Sequence, residues 1–194
     1  APKTFELTQE LQASSELKDF YLVGGTSLAL QLGHRNSVDI DLFIDRQYDF
    51  DFLLNFIKTK YDFKPIYAGN QTIIGIINGI KVDFISHPYK IIKPIFVEES
   101  ISMLSLEDIS AMKLHAITNS GQRLKDFIDI YFLLEHFSIR QMLEFYHEKY
   151  PFMNKVIPLR AVTFFDEIDP NIDPPKLLSP LPLSKIKKRI IEGV

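Results

Sequence analysis

Two β-branched, apolar runs on either side of an Asn-Gly pair restrict the fold of this chain more than any other feature. The runs cover residues 72–77 and 80–85, and Asn78-Gly79 lies between them. Such a pair between two strand-like runs is the strongest short-range signal of a β-hairpin, because both residues tolerate the positive φ angles of a tight turn. The sequence therefore predicts two antiparallel strands in the middle of the chain.

Helix-like and strand-like segments alternate around this hairpin. Residues 20–23 form an apolar run that ends at Gly24-Gly25, and residues 37–44 alternate in the way of a half-buried strand. Apolar residues recur at helical spacing over residues 8–18, 26–32, 49–60, from 105 onward and over 122–137, and these segments are predicted to be helices. Several of the predicted helices begin with acidic residues or with a serine cap. The pattern predicts an α/β (α+β) fold with a small mixed sheet flanked by helices.

The 194 residues suffice for one good core with an appendage. We expect a core over residues 1–100, a helical subdomain over 101–150 that completes a cleft, and an extension over 151–194. Five of the 11 prolines lie between residues 170 and 182, which predicts an extended, polyproline-like segment. The basic residues of the last ten positions favour a solvent-facing helix over a nucleic-acid contact; they are Lys185, Lys187, Lys188 and Arg189.

The composition excludes several classes of protein. There is no cysteine, so the chain has no disulfide framework, thiolate nucleophile or sulfur-ligated zinc. No uncharged apolar run reaches the roughly 18 residues of a membrane-spanning helix, and we expect a cytoplasmic protein without a membrane partner. A net charge of −3 argues against non-specific coating of nucleic acid. The five histidines lack the spacing of a zinc site, which indicates structural roles.

A glycine-led turn and a pair of acids carry the strongest chemical signal. Gly24-Gly25-Thr26 follows an apolar strand and precedes a short helix, so backbone N–H groups and a helix N-terminus can bind phosphate there. Asp39 and Asp41 are two positions apart on a predicted strand, so their carboxylates share one face and need a cation. The alternative is that both acids only face solvent.

A third acid and a later charged motif extend this site. Asp83 lies on an otherwise apolar strand, where an unpaired carboxylate would be costly, so we expect it to face the same cation. Three carboxylates can hold two Mg²⁺ ions. Lys113 lies on an apolar helical face, and Asp126 and Asp129 are neighbours on the next helix, where helix capping is the structural alternative.

These residues resemble a known family. The segment from Val23 to Phe43 is similar to the first motif of the AbiEii/AbiGii-type nucleotidyltransferases, toxins of abortive-infection and toxin–antitoxin systems. Lys113 and the segment Arg123-Leu124-Lys125-Asp126-Phe127-Ile128-Asp129 resemble the family's later lysine motif and its Arg-x-Lys-Asp-x-x-Asp motif, and residues 160–167 resemble part of its shorter members. The resemblance implies a DNA polymerase beta-like nucleotidyltransferase core.

The resemblance also implies a role for each matching position. Triphosphate binding would fall to Gly24, Gly25, Thr26 and Lys113, with further phosphate contacts from Arg35 and Ser37. Mg²⁺ would be held by Asp39, Asp41 and Asp83. Asp126 would be the catalytic base.

The implied reaction moves a nucleoside monophosphate from an NTP to an acceptor hydroxyl, with Mg²⁺ as cofactor. By analogy, the acceptor is the 3′ end of a tRNA or a protein hydroxyl, and a cognate antitoxin is a further partner. Other interpretations are a catalytically silent nucleotide-binding module, a metal-dependent glycosyltransferase, or an aspartyl-phosphate phosphatase. The phosphatase generally has Thr or Val where this chain has Phe43, and neither of these two enzymes predicts Gly24-Gly25.

Overall fold

A computed structural model of the chain describes residues 2–194, which contain eight helices and nine strands. These residues form two compact units. The first comprises the chain up to Ser27 together with Ser37–Leu104, and the second comprises Leu28–Asn36 together with Ser105–Val194. Residues 151–194 thus belong to the same unit as residues 105–150.

A seven-stranded mixed sheet forms the centre of the first unit, in the order β4-β5-β6-β3-β1-β8-β7. Its strands are β1 (Tyr21–Leu22), β3 (Ile40–Ile44), β4 (Phe63–Gly69), β5 (Thr72–Ile77), β6 (Ile80–Ser86), β7 (Phe96–Glu98) and β8 (Ile101–Met103). The helices of this unit are α1 (Pro2–Gln12) and α3 (Phe50–Lys60), and α2 (Gly24–Leu32) begins in it. Strand β3 pairs in parallel with β6, and β1 pairs in parallel with β8, whereas the other pairs are antiparallel.

The predicted hairpin is confirmed. Strands β5 and β6 pair antiparallel with Ile77 opposite Ile80, and Asn78 and Gly79 have φ angles of 53° and 78°. Positive φ at both turn positions matches the right-handed twist of the two strands. The hairpin places β6 beside β3. On β3, Ile40 and Leu42 are completely buried, and the side chain of Asp41 between them faces the other side of the sheet.

Several predicted element boundaries differ in this unit, and α2 begins at Gly24 rather than at residue 26. The first helix covers Pro2–Gln12 rather than residues 8–18, because Pro2 is tolerated in a first helical turn and Leu7 and Leu11 bury one face. The strand predicted over residues 37–44 begins only at Ile40, because the carbonyl of Asp39 accepts a hydrogen bond from the Thr26 hydroxyl.

The second unit is mainly helical. Its elements are β2 (Arg35–Asn36), α4 (Leu106–Asn119), α5 (Leu124–Leu133), α6 (Ile139–Lys149), α7 (Val156–Val162), β9 (Lys176–Leu177) and α8 (Leu183–Glu192). Ser105 caps α4, as predicted, by accepting a 3.1 Å hydrogen bond from the Asp108 backbone N–H. The ammonium group of Lys149 on α6 reaches Asp108 at 2.7 Å, and both side chains are buried.

The C-terminal region is packed more closely than the proline content predicts. Within the proline-rich segment, β9 pairs antiparallel with β2. Helix α8 buries Ile186 and Ile190, four positions apart on one face, and Arg189 lies 4.5 Å above the ring of Tyr131 on α5. No helix among residues 2–194 has the length and apolar character required to cross a membrane.

Candidate active site

The turn that opens α2 brings a glycine against a carboxylate. Gly24 has a φ of +67°, a left-handed conformation that favours glycine. A Cβ atom at Gly24 would lie 2.3 Å from Oδ2 of Asp41, so only a hydrogen atom fits there. Gly24 and Gly25 are also the first residues of α2, where backbone N–H groups have no partner within the helix and attract anions. The turn therefore combines a helix end that attracts anions with an acid.

The hydroxyl of Thr26 organises the segment that leads into β3. It donates to the backbone carbonyl of Asp39, and the Ser37 hydroxyl lies 2.9 Å from it. Thr26 is only 5% exposed. Its side chain therefore joins the start of α2 to the entry of β3, and its proton is already donated within the protein.

Asp41 and Asp83 are direct neighbours in the sheet. The parallel register of β3 and β6 pairs these two residues, and Asp39 immediately precedes β3. Burial raises the pKa of Asp83, the bonded Lys81 ammonium group lowers it, and the negative charge of Asp39 raises it again; the net direction is upward. Asp39 thus acts electrostatically on Asp83, and Asp41 is the neighbour of Asp83 in the sheet.

Their chemistry fits a hard divalent cation. Mg²⁺ prefers carboxylate oxygens and is usually held by one or two acids together with substrate phosphates. Asp41 stands against the Gly24 backbone, so the glycine turn and a carboxylate are in contact. Within residues 2–194, no three acidic or histidine side chains are gathered as a ligand cluster.

Lys81 is a site residue that the sequence analysis missed. It lies two positions before Asp83 on β6, and its Nζ atom is 2.6 Å and 2.7 Å from the two carboxylate oxygens of Asp83. The Lys81 side chain is 42% exposed, whereas that of Asp83 is 10% exposed. The signal in the sequence was the i, i+2 spacing, which puts both side chains on one face of a strand.

The second unit contains a buried network centred on Asp129. Its carboxylate accepts hydrogen bonds from Nε2 of His34 at 2.8 Å, and from Nε and Nη2 of Arg35 at 2.8 Å and 3.0 Å. Nζ of Lys113 lies 2.7 Å from its second oxygen. Burial by itself would raise the pKa of Asp129, but Lys113, His34 and Arg35 outweigh burial and hold the pKa well below its usual range. Asp129 is thus an ionised anchor for three basic side chains.

Asp126 is the other carboxylate of this network. Oδ1 of Asp126 is 2.8 Å from Nζ of Lys113, and Asp126 is 1% exposed. Its Oδ2 atom is buried and has no hydrogen-bond partner in the described part of the chain, and Nε of Arg123 lies 3.9 Å from it. Burial by itself would lower the pKa of Lys113, but Asp126 and Asp129 raise it on balance. Lys113 therefore stays charged, and one oxygen of Asp126 is buried without a hydrogen bond.

The predicted site residues divide between the two units. Those in the first unit are Gly24, Gly25, Thr26, Ser37, Asp39, Asp41 and Asp83, and those in the second are Arg35, Lys113 and Asp126. Arg35, predicted to touch phosphate, is 4% exposed and uses its guanidinium group to bind Asp129. His34, which was predicted to be structural, contacts the same carboxylate through its Nε2 atom.

Replacement of Gly24 by alanine is expected to reduce metal binding as well as stability. A left-handed φ costs a non-glycine residue roughly 1–2 kcal/mol, and the new Cβ would displace Asp41. Gly33→Ala is the matched control, since Gly33 has a φ of +62° and nothing within 4 Å of an added Cβ. We expect both variants to lose stability in urea unfolding, and only Gly24→Ala to lose Mn²⁺ binding. Equal Mn²⁺ affinity in the two would contradict the role given to the Gly24–Asp41 contact.

Several known proteins are similar to this chain. A protein of Aquifex aeolicus, aq_aa25, is 27% identical over 155 residues, covering 77% of this chain and 75% of that protein. The crystal structure of JHP933 from Helicobacter pylori has a similar fold, with a TM-score of 0.52 and 15% identity over 98% of this chain and 92% of that one. The Megavirus polyadenylate synthase aligns over 67% of this chain with 20% identity and a TM-score of 0.49. The aligned part covers only 31% of the synthase.

A family model covers most of the sequence. The model described as "Nucleotidyl transferase AbiEii toxin, Type IV TA system" matches residues 7–64 and 72–178. The matched ranges include the glycine turn, the three sheet acids and the network around Asp129. The chain therefore belongs to the AbiEii family of toxins and is a nucleotidyltransferase.

Proposed function

We propose that this chain transfers a nucleoside monophosphate from an NTP to an acceptor hydroxyl in a reaction that requires Mg²⁺. The observation that carries the proposal is the contact between Gly24 and Asp41. It joins an anion-binding helix start to an acid that is paired in register with Asp83. A carboxylate beside a phosphate-binding turn is the arrangement needed to bind an NTP as its metal complex.

In the first unit, the residues of the turn and the sheet bind the substrate. The backbone N–H groups of Gly24 and Gly25 bind phosphate oxygens, and Thr26 and Ser37 keep this turn attached to the strand that carries the acids. Asp39, Asp41 and Asp83 are the proposed ligands of Mg²⁺. When bound, the ion neutralises phosphate charge and favours the deprotonated form of an attacking hydroxyl.

In the second unit, Asp126 is the proposed base. This role is supported by the family match over residues 72–178, and the base takes the proton of the acceptor hydroxyl, whose oxygen attacks the α-phosphorus of the NTP. The bond between the α-phosphorus and its bridging oxygen breaks, and pyrophosphate leaves with that electron pair. Lys113 contacts Asp126 and contributes positive charge for the triphosphate. Arg35 acts as a positioning residue, because it holds the Asp129 carboxylate that also binds Lys113.

The acceptor and the biological role are part of the same proposal. The family's description as a toxin of type IV toxin–antitoxin systems supports a toxin role with a cognate antitoxin. We propose an acceptor hydroxyl on RNA, at the 3′ end of a tRNA, with a protein hydroxyl as the competing acceptor. A nucleotidyl group can be attached to either by the chemistry above.

A labelling experiment tests the proposed function. The chain is incubated with Mg²⁺ and one α-³²P-labelled NTP at a time, in the presence of total RNA or of a protein extract, and the products are resolved on denaturing gels. We expect label on RNA, loss of labelling with EDTA, and no labelling from the same NTP carrying γ-³²P. Label from the γ position would indicate phosphoryl transfer instead. Measurable NTP binding without transfer of either label would favour a silent nucleotide-binding module.

A further inference from the structure

The ion pair between Lys81 and Asp83 lies on a carboxylate that the proposed function assigns to metal. The ammonium group of Lys81 contacts both oxygens of Asp83, at 2.6 Å and 2.7 Å. The two side chains lie on one face of β6, and Asp83 faces Asp41 on the neighbouring strand β3. Both carboxylate oxygens of Asp83 are therefore already bonded to a cation that belongs to the chain itself.

Electrostatics explains why a lysine is placed there. The Asp83 side chain is only 10% exposed, and removing a carboxylate from water is costly unless a partner compensates. Asp39 adds a second negative charge that interacts with Asp83. Lys81 compensates part of this charge, and because its own side chain is 42% exposed, its ammonium group can return to water without any change in the core.

A divalent ion and Lys81 cannot use the Asp83 oxygens independently. Each oxygen of Asp83 accepts one hydrogen bond from Lys81 and keeps a second lone pair, so a metal ion bound there would share the carboxylate with the ammonium group. If the ammonium group stays within a few ångströms, it repels the ion. The lysine and the metal therefore oppose each other at this carboxylate.

We propose that Lys81 is a built-in counter-cation of the acidic site, which competes with the divalent ion for Asp83 and so sets the metal affinity of the enzyme. This inference rests on the proposed function, because it takes Asp39, Asp41 and Asp83 as metal ligands. Lys81 neutralises Asp83 before metal and NTP arrive, and weakens metal binding in the absence of the nucleotide.

Direct Mn²⁺ binding tests the inference without any measurement of activity. Free Mn²⁺ is followed by electron paramagnetic resonance in titrations of the whole chain without nucleotide at low ionic strength. Lys81→Met removes the charge and is expected to tighten Mn²⁺ binding by about tenfold or more. Lys81→Arg keeps the charge and is expected to stay within about twofold of wild type. Lys58→Met, on an exposed part of α3, removes the same charge away from the site and is expected to leave the affinity unchanged.

The outcomes separate this inference from the proposed function. Equal Mn²⁺ affinity in wild type and Lys81→Met, or weaker binding in Lys81→Met, would overturn the competition. Mn²⁺ binding that survives Asp41→Asn would overturn the metal site itself, whatever Lys81 does, and an absence of Mn²⁺ binding in every form would overturn both. Circular dichroism establishes that each variant is folded, and Lys81→Gln, for which we expect the same tightening, replaces Lys81→Met if that variant does not fold.

Discussion

Replacement of Asp41 by asparagine is expected to lower the rate of nucleotide transfer by at least about 100-fold, because an acid that binds the metal–phosphate complex supplies several kcal/mol to the transition state. The side chain keeps its size, so the packing against Gly24 is preserved while the charge is removed. Unfolding in urea should change by less than about 1 kcal/mol, since Asp41 lies in a cluster of like charges. The measurement is transfer of α-labelled nucleotide together with Mn²⁺ titration.

Asp62→Asn is the matched control for this variant. Asp62 is exposed in the same unit and undergoes the same chemical change. We expect it to retain wild-type transfer and wild-type Mn²⁺ affinity. If Asp41→Asn also retained both, Asp41 would not be a metal ligand, and the site built on the glycine turn would have to be abandoned.

Asp129→Asn is expected to reduce the free energy of unfolding by about 3–5 kcal/mol, the usual cost of breaking a buried ion pair by removing one partner. Two buried carboxylates, Asp126 and Asp129, balance the positive charges of Arg35 and Lys113. The asparagine amide would also turn N–H groups towards side chains that can only donate. Asp166→Asn, at an exposed position of the same unit, should change stability by less than about 0.5 kcal/mol in the same urea titration.

The pH dependence of stability gives a second measurement on Asp129. Its pKa in the folded protein lies below the ordinary value of 3.8, so the folded state binds fewer protons than the unfolded state as pH approaches that value from above. Its contribution to stability is therefore complete above about pH 4–5 and is lost as pH falls below 3.8. The wild type should lose stability over this range more steeply than Asp129→Asn. If the free energy of unfolding fell with pH in the same way in both proteins, Asp129 would not be the anchor of the network.

Loss of activity in Asp129→Asn would have a different origin from the loss in Asp41→Asn. Asp129 binds Lys113 and Arg35, and Lys113 binds Asp126, so the expected effect on transfer acts through the position of Lys113 and Asp126. Mn²⁺ affinity should remain close to that of wild type, because the proposed metal ligands belong to the first unit. A parallel loss of Mn²⁺ binding would contradict this separation.

The local features of the site could be predicted because each depends on a few neighbouring residues. The hairpin at Asn78-Gly79 and the serine cap at Ser105 follow from turn and helix-end chemistry, which acts within four residues. The alternation around Asp41 puts Ile40 and Leu42 in the core by the two-residue period of a strand. Helix boundaries were less accurate, because α1 is placed by the burial of Leu7 and Leu11 against other elements.

The sequence by itself thus determined the hairpin, the serine cap of α4, the burial of Ile40 and Leu42, and the family resemblance. Only the tertiary structure decided which charges meet. It brought Arg35 to Asp129 across 94 positions of the chain, aligned Asp41 with Asp83 through the register of β3 and β6, and placed Lys81 on the carboxylate of Asp83. The physical reason is that periodicity and turn chemistry act locally along the chain, whereas the partner of a buried charge is selected by packing between elements that are remote in sequence.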